Sequence, residues 1–115
     1  MTDEAWLPDA GDLIWTDLAP TKGREQSGRR PALVVSSRVF TEMTGLAVVC
    51  PITSRVRPFP SSVVLPPGLP VAGEVLTSHM RSIDTLARPV IYTGASITPS
   101  LADEVRAKLA AFMTI

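Results

Sequence analysis

The stretch PTKGREQSGRRPALVVS, residues 20–36, gathers five charged side chains into one loop directly before an apolar run. They are Lys22, Arg24, Glu25, Arg29 and Arg30. Charge in such a connection adds nothing to a hydrophobic core, and the planar guanidinium fork suits phosphate or carboxylate. Arginines with a glutamate among them can therefore bind an anion and hold a proton acceptor beside it.

The scarcity of other reactive side chains excludes most alternative chemistries. The chain has one histidine, His79, and one cysteine, Cys50, so a zinc site of ordinary ligand type cannot be built. No nucleophile elbow marks a serine hydrolase, and residues 21–31 lack the lysine and hydroxyl order of a phosphate-binding loop. We therefore expect no metal and no other cofactor.

The remaining side chains suit the cleavage of a phosphodiester whose own substrate supplies the nucleophile. RNA does so through its 2′-hydroxyl group, whereas DNA lacks that group. Cleavage then requires a base near the hydroxyl, cations against the charge that develops on the phosphate, and a hydrogen-bond donor that fixes the geometry. A solvated loop of mixed charge is the competing interpretation of the same residues.

Charge is distributed unevenly along a chain whose net charge is zero. Residues 1–21 hold five acids and no lysine or arginine, whereas residues 22–88 hold nine bases against four acids, a local balance of +5. The pattern indicates a basic face for an anionic partner. Charge alone does not show whether that partner is a nucleic acid or an acidic peptide. It also fits a surface whose charges only keep the protein soluble.

Short apolar runs at regular spacing predict a mainly β protein. The runs lie at residues 11–18, 32–37, 45–53, 61–66, 74–87 and 89–94. About six short, mostly antiparallel strands with turn residues between them favour a small barrel over a parallel sheet. For residues 38–44 we expect a single helical turn.

The last segment changes to a helical period. Thr98 supplies an N-cap and Pro99 a first-turn proline. The apolar stripe that follows consists of Leu101, Val105, Leu109 and Phe112. We expect a C-terminal α-helix at about residues 99–113, packed on the barrel. A chain of 115 residues holds one hydrophobic core, so residues 1–115 are expected to form a single domain.

The sequence shows no signal for export or membrane insertion. No basic leader with an apolar run is present, and no apolar stretch approaches the ~18 residues that a membrane helix needs. We therefore expect a soluble, cytoplasmic protein without membrane association. Cys50, within VVCPI, is expected to be a buried small hydrophobe.

The opening blocks of the chain carry a family signature. GDLIWTDLAPTKGREQSGRRPALVVS, residues 11–36, resembles the opening of MazF/PemK-type toxins, the growth-inhibiting halves of toxin–antitoxin pairs. The family pattern, a GD and an apolar strand followed by PTKGxEQxGxRPxLV, is matched from Gly11 to Val34. CPITS (residues 50–54) and RSIDTLAR (residues 81–88) resemble the second and third family blocks in order and spacing, so the resemblance covers most of the chain.

This resemblance implies an SH3-like barrel, a homodimer and a toxin of a type II toxin–antitoxin system. The implied activity is metal-independent, sequence-selective cleavage of single-stranded RNA, above all mRNA, that leaves a 2′,3′-cyclic phosphate and a 5′-hydroxyl. It also implies a cognate MazE-like antitoxin whose acidic C-terminal tail occupies the RNA groove. Both partners are anionic, which fits the basic central segment.

Position by position, the resemblance places the family's essential arginine on Arg30, its glutamate on Glu25 and its active-site threonine on Thr53. Because a guanidinium stays protonated, we assign Arg30 to the phosphate, Glu25 to the 2′-hydroxyl proton and Thr53 to a hydrogen bond with the phosphate. The expected RNA contacts are polar or cationic side chains of the same blocks. They are Lys22, Arg24, Gln26, Arg29, Ser54, Arg55, Arg57, Ser78, His79 and Arg81.

Two neighbouring positions depart from the family pattern. The PemK/Kid branch carries an aspartate with an acid or base role in its third block, and Ser78 occupies that position here. His79 stands where relatives often have glutamine. Histidine can exchange protons near neutral pH, but we favour base contact or a structural role for His79. Mobility and substrate selection are expected in residues 54–62.

Two other functions remain open for the same fold. A gyrase poison of the CcdB kind acts through a C-terminal end whose penultimate residues include a tryptophan, whereas this chain ends in AAFMTI. A non-catalytic binding module is disfavoured by the presence of Glu25, Arg30 and Thr53 together. Cleavage of RNA by the purified protein would separate all three classes.

Overall fold

A computed structural model describes residues 6–18 and 28–115 of the chain. These residues contain seven strands, two α-helices and one 3₁₀ turn. The strands are β1 (Asp12–Thr16), β2 (Arg30–Val34), β3 (Leu46–Thr53), β4 (Ser62–Val64), β5 (Glu74–Leu76), β6 (Arg81–Asp84) and β7 (Val90–Ser96). The helices are α1 (Arg38–Thr44) and α2 (Pro99–Phe112), and the 3₁₀ turn is Thr77–His79. The predicted mainly β fold with a C-terminal helix is confirmed.

The described strands form one antiparallel sheet in the order β4-β5-β3-β2-β1-β7, and β6 pairs with β3 beside β5. The two end strands, β4 and β7, do not pair with each other in the described part of the chain, so the sheet stays open. An open sheet of this order is compatible with the predicted small barrel. One strand more than expected is present, because the 3₁₀ turn divides residues 74–87 into β5 and β6.

Both faces of the central strands are buried. Successive side chains of a strand point to opposite faces, so Leu13 and Ile14 of β1 enter two different apolar clusters. The first cluster includes Leu13, Leu33, Cys50, Ile52, Val75 and Val105. The second consists of Ile14, Ala32, Val34, Ala47, Val49 and Ile83. Each large apolar side chain buried in this way stabilises the fold by about 1.5–3 kcal/mol.

The C-terminal helix α2 covers the first cluster. Thr98 Oγ1 accepts a hydrogen bond from Leu101 N at 3.2 Å, which confirms the predicted N-cap. Val105 is buried, and Leu101 packs against the cluster, but Phe112 is 41% exposed. The apolar stripe therefore ends before the last turn. Of the helices that the structure describes, none combines the length and the apolar character needed to cross a bilayer.

The helix between β2 and β3 is longer than predicted. Helix α1 has seven residues instead of a single turn. Ser37 Oγ accepts from Phe40 N at 3.2 Å at its start, and Gly45, with φ +76°, donates its N–H to Thr41 O at 2.8 Å at its end. A hydroxyl N-cap and a left-handed glycine satisfy backbone groups that would otherwise be unpaired.

Cys50 is fully buried in the first cluster, as predicted from the sequence. Burial raises the pKa of its thiol to about 12. The thiolate is the reactive form of cysteine, and burial among apolar side chains opposes its formation. Cys50 therefore belongs to the core and supplies no nucleophile at neutral pH.

Gly73 allows the start of β5 to approach the end of β3. Its φ is +137°, and a Cβ placed on it would stand 2.2 Å from the carbonyl oxygen of Thr53 and 2.9 Å from the carbonyl carbon. On its other side, Gly73 O accepts from Leu65 N at 2.8 Å. A glycine is required here because the backbone of Thr53 occupies the space of a side chain.

Replacement of Gly73 tests this close approach. We expect Gly73→Ala to lower the free energy of unfolding by more than about 2 kcal/mol, because the new Cβ meets backbone that cannot move aside. Gly28→Ala is the matched control, since its φ is +136° and no described atom lies within 4 Å of the added Cβ. Chemical denaturation measures both variants, and equal losses would contradict the role of the contact with Thr53.

Candidate active site

A cleft of about 380 Å³ opens where β3 changes its partner. Along this edge β3 pairs first with β6 and then, at its end, with β5. The 3₁₀ turn lies between those two partners, and the segment that joins β3 to β4 forms the opposite wall. Five residues selected from the sequence line the cleft: Thr53, Arg55, Arg57, Ser78 and His79.

Three polar residues form a row at one end of the neighbouring strands β2, β3 and β5. Ala32 pairs with Pro51 at the last pair of the β2–β3 ladder, and Arg30 and Thr53 each lie two residues beyond that pair. Thr53 in turn pairs with Glu74. Residues directly opposite in antiparallel strands have Cβ atoms about 4.5–5.5 Å apart. An arginine, a hydroxyl and a carboxylate therefore follow one another at the same edge of the sheet.

Arg30 begins β2 and is exposed, as is Arg29 before it. Its backbone is fixed by pairing with Thr16 of β1, and Pro31 follows it within the strand. Arg30 lies one strand away from the cleft rather than among its lining residues. Because Arg30 is exposed, its guanidinium is accessible to an anion.

Thr53 ends β3 and is half-buried. Its Oγ1 accepts a hydrogen bond from Arg55 N at 3.1 Å, which turns the chain as it leaves the strand. A hydroxyl has one proton to donate as well as two acceptor lone pairs. The proton of Thr53 can therefore be donated to an oxygen atom of a ligand, as the sequence assignment requires.

Glu74 is a site residue that the sequence analysis missed. Its side chain is only 1% exposed, and it lines the cleft. Ser62 Oγ donates to Oε2, and Arg57 N donates to Oε1 at 2.8 Å. These hydrogen bonds, with that of Ser62 the larger cause, lower the pKa of Glu74 although burial acts in the opposite direction. The signal in the sequence is a lone acid at the start of the apolar run EVL, since a buried acid needs partners.

The wall of the cleft is fastened to two other elements. Lys108 Nζ of α2 donates to Pro60 O at 2.8 Å, and Thr77 Oγ1 of the 3₁₀ turn donates to Ser61 O. From the sequence, mobility is expected throughout residues 54–62. These contacts hold the second half of that segment against α2 and the 3₁₀ turn.

The rim of the cleft is cationic. Arg55 and Arg57 are exposed on one side, and Ser78 and His79 are exposed on the other. Two exposed arginines therefore line the same cleft as the buried carboxylate of Glu74. Ser54 is exposed next to Thr53, outside the cleft lining.

Arg81 has a contact that the sequence did not predict. Its Nη1 donates to Leu18 O at 2.9 Å, and Arg88 Nη1 donates to Asp17 O. Both arginines thus hold the chain just after β1, where it leads into the charged loop. The RNA contact expected for Arg81 remains a prediction beside this structural one.

Four expected site residues lie outside the described part of the chain: Lys22, Arg24, Glu25 and Gln26. The roles assigned to them from the sequence remain predictions. Among residues 6–18 and 28–115, no three His, Cys, Asp or Glu side chains gather closely enough to hold a metal ion.

Comparison with known proteins gives concordant matches. A family model described as PemK-like, MazF-like toxin of type II toxin-antitoxin system matches residues 9–113. The chain is 38% identical over 104 residues to the endoribonuclease toxin MazF of Escherichia coli (strain K12). The matched region covers 90% of this chain and 92% of that protein.

Two solved structures from Deinococcus radiodurans resemble the fold over nearly its full length. MazF (Form-I) is similar at 43% identity with a TM-score of 0.82, over 93% of this chain and 96% of that chain. MazE-MazF (Form-II) is similar at 43% identity with a TM-score of 0.85 and the same coverage. The family model, the curated relative and the fold agree with the motifs that begin at Gly11. The chain therefore belongs to the PemK-like, MazF-like toxin family of type II toxin–antitoxin systems.

Proposed function

We propose that this chain is a toxin that acts as an endoribonuclease on single-stranded RNA, above all mRNA, and thereby inhibits translation and growth. The observation that carries the proposal is the cleft at the end of β3, which Thr53 lines together with Arg55 and Arg57. The similarity to an endoribonuclease toxin of Escherichia coli supports the same activity.

The proposed reaction uses the 2′-hydroxyl of the substrate as its nucleophile. Glu25 accepts the proton of that hydroxyl while its oxygen attacks the neighbouring phosphorus. Arg30 stabilises the charge that develops on the phosphate, and Thr53 donates a hydrogen bond to a nonbridging oxygen. The bond to the 5′-oxygen breaks and that oxygen takes a proton from water, which leaves a 2′,3′-cyclic phosphate and a 5′-hydroxyl, while Glu25 releases its proton to solvent. These steps require no metal or cofactor.

The cleft is proposed to bind the RNA chain around the scissile bond. Arg55 and Arg57 contact backbone phosphates, and Ser78 and His79 contact base edges. Phe59, which is 62% exposed at the cleft, offers a ring on which a base can stack. Further backbone contacts come from the loop, from the end of β3 and from the start of β6: Lys22, Arg24, Gln26, Arg29, Ser54 and Arg81.

Control of the toxin is proposed to come from a second anionic partner. A cognate MazE-like antitoxin places its acidic C-terminal tail in the same cationic cleft and so competes with RNA. The solved structure of MazE-MazF from Deinococcus radiodurans supports a partner of this kind. We further propose that the toxin works as a homodimer in the cytoplasm, where RNA and antitoxin are made.

Cleavage of RNA in the presence of EDTA tests the activity directly. Purified protein is expected to cut a mixed single-stranded RNA in excess EDTA and to leave 5′-hydroxyl ends, which sequencing identifies. Arg30→Ala should lower the rate by about 100-fold or more, because it removes charge stabilisation in the transition state. The matched control is Arg38→Ala, which removes an exposed arginine of α1 and should cut at the wild-type rate.

The other outcomes of this assay favour other functions. Intact RNA after incubation with the wild-type protein, together with trapped gyrase complexes, would favour a gyrase poison. RNA that is bound but never cut would favour a non-catalytic binding module. Equal rates for Arg30→Ala and Arg38→Ala would contradict the role of Arg30.

The pH profile of Glu25→Gln tests the assignment of the general base. A carboxylate base must be deprotonated to act, so wild-type cleavage should fall as the pH drops through its titration. Glu25→Gln should be slower and should lack this acid limb, while its affinity for an uncleavable 2′-deoxy analogue stays unchanged. Glu42→Gln, on the exposed face of α1, is the control. An acid limb that survives in Glu25→Gln would refute the assignment.

A further inference from the structure

Glu74 is a buried acid in the cleft that the proposed reaction does not use. In the part of the chain that the structure describes, no lysine or arginine side chain forms an ion pair with its carboxylate. Its charge is instead met by the Ser62 hydroxyl and the Arg57 backbone N–H. Arg57 belongs to the wall of the cleft, and Ser62 begins β4, the strand that follows the wall.

The surroundings of Glu74 do not suit a general base. Both carboxylate oxygens already accept hydrogen bonds, and almost none of the side chain is accessible to a substrate. Hydrogen bonds from Ser62 and the Arg57 backbone also lower the pKa of Glu74, which weakens it as a proton acceptor. The carboxylate is therefore an anchor that stays charged rather than a reacting group.

The contacts of Glu74 join the row of site residues to the wall of the cleft. The backbone of Glu74, in β5, pairs with that of Thr53, in β3. Its carboxylate accepts a hydrogen bond from the backbone N–H of Arg57. Ser62 Oγ, which donates to the carboxylate, also accepts from Phe59 N at 3.1 Å. One side chain thus fixes two backbone positions of the wall relative to Thr53.

We propose that Glu74 is a positioning residue for RNA binding, whose carboxylate fixes the backbone of residues 57–62 so that Arg57 and Phe59 face the cleft beside Thr53. The inference rests on the proposed ribonuclease activity and adds to it a residue that does not touch RNA. Its loss should therefore weaken binding of the substrate and leave the chemical step nearly intact.

Glu74→Met removes both acceptors while it keeps a side chain of similar length. We expect KM for RNA to rise about tenfold, with kcat within about twofold of wild type. The reason is that the backbone of Arg57 is no longer held in place, so its guanidinium is no longer positioned for RNA. The amide of Arg57 should also exchange its hydrogen faster. Glu74→Gln should recover most of the affinity, since its carbonyl still accepts from Arg57 N and its amide donates to Ser62 Oγ.

Glu42→Met is the matched control, because it removes the same charge from an exposed position on α1. It should leave KM, kcat and the Arg57 amide unchanged. If Glu74→Met does not fold, Ser62→Ala removes one hydrogen bond of the carboxylate and should raise KM in the same direction by less.

The inference is overturned if folded Glu74→Met binds and cleaves RNA like wild type, if it loses kcat alone, or if Glu42→Met loses as much affinity. Amide exchange at Arg57 and binding of an uncleavable 2′-deoxy analogue are measured without any cleavage. A wild-type protein that does not cut RNA would therefore refute the proposed function, while unchanged exchange at Arg57 in Glu74→Met would refute the anchor.

Discussion

The antiparallel pairing of β3 is the constraint on which the site depends. Within the described sheet, β3 pairs with β2 along one edge and with β6 and then β5 along the other. Because β3 is shared, its pairing with β2 brings Arg30 to the end of the sheet where Thr53 lies, and backbone hydrogen bonds with β5 set Thr53 opposite Glu74. Gly73 completes this arrangement by admitting β5 close to the carbonyl of Thr53.

Burial on both faces of the central strands makes this register stable. Slipping β2 or β3 by one residue would move every apolar side chain to the opposite face, and both faces are already filled by their own clusters. The polar row stands at the end of these strands, where the apolar residues stop. Under the proposed function, side chains whose backbone is fixed in this way need little reorganisation when charge develops on a substrate.

Features carried by local signals were predictable from the sequence. Thr98 and Pro99 marked the start of α2, alternation marked β1, and an apolar context marked Cys50 as buried. The resemblance to MazF/PemK-type toxins selected Arg30 and Thr53, which lie at the start of β2 and the end of β3.

Features that depend on distant partners were not predictable. The donors to Glu74 lie 12 and 17 residues away in the chain, in a segment without periodic pattern. Arg81 donates to the carbonyl of Leu18, 63 residues away in the chain, and nothing near Arg81 in the sequence indicated that contact.

The length of α1 was underestimated because Ser37 and Gly45 were not weighed as caps, although both signals are local.

The central claim is that RNA binds along the row and the cleft at the end of β3. Titration of ¹⁵N-labelled protein with a single-stranded RNA whose 2′-hydroxyl groups are replaced by hydrogen tests it most directly, because the complex forms without cleavage. The account predicts that amide shifts change most at Arg30, Thr53, Arg57 and His79, in the presence or absence of EDTA. Shift changes centred on α2, or on the exposed face of α1, would contradict it.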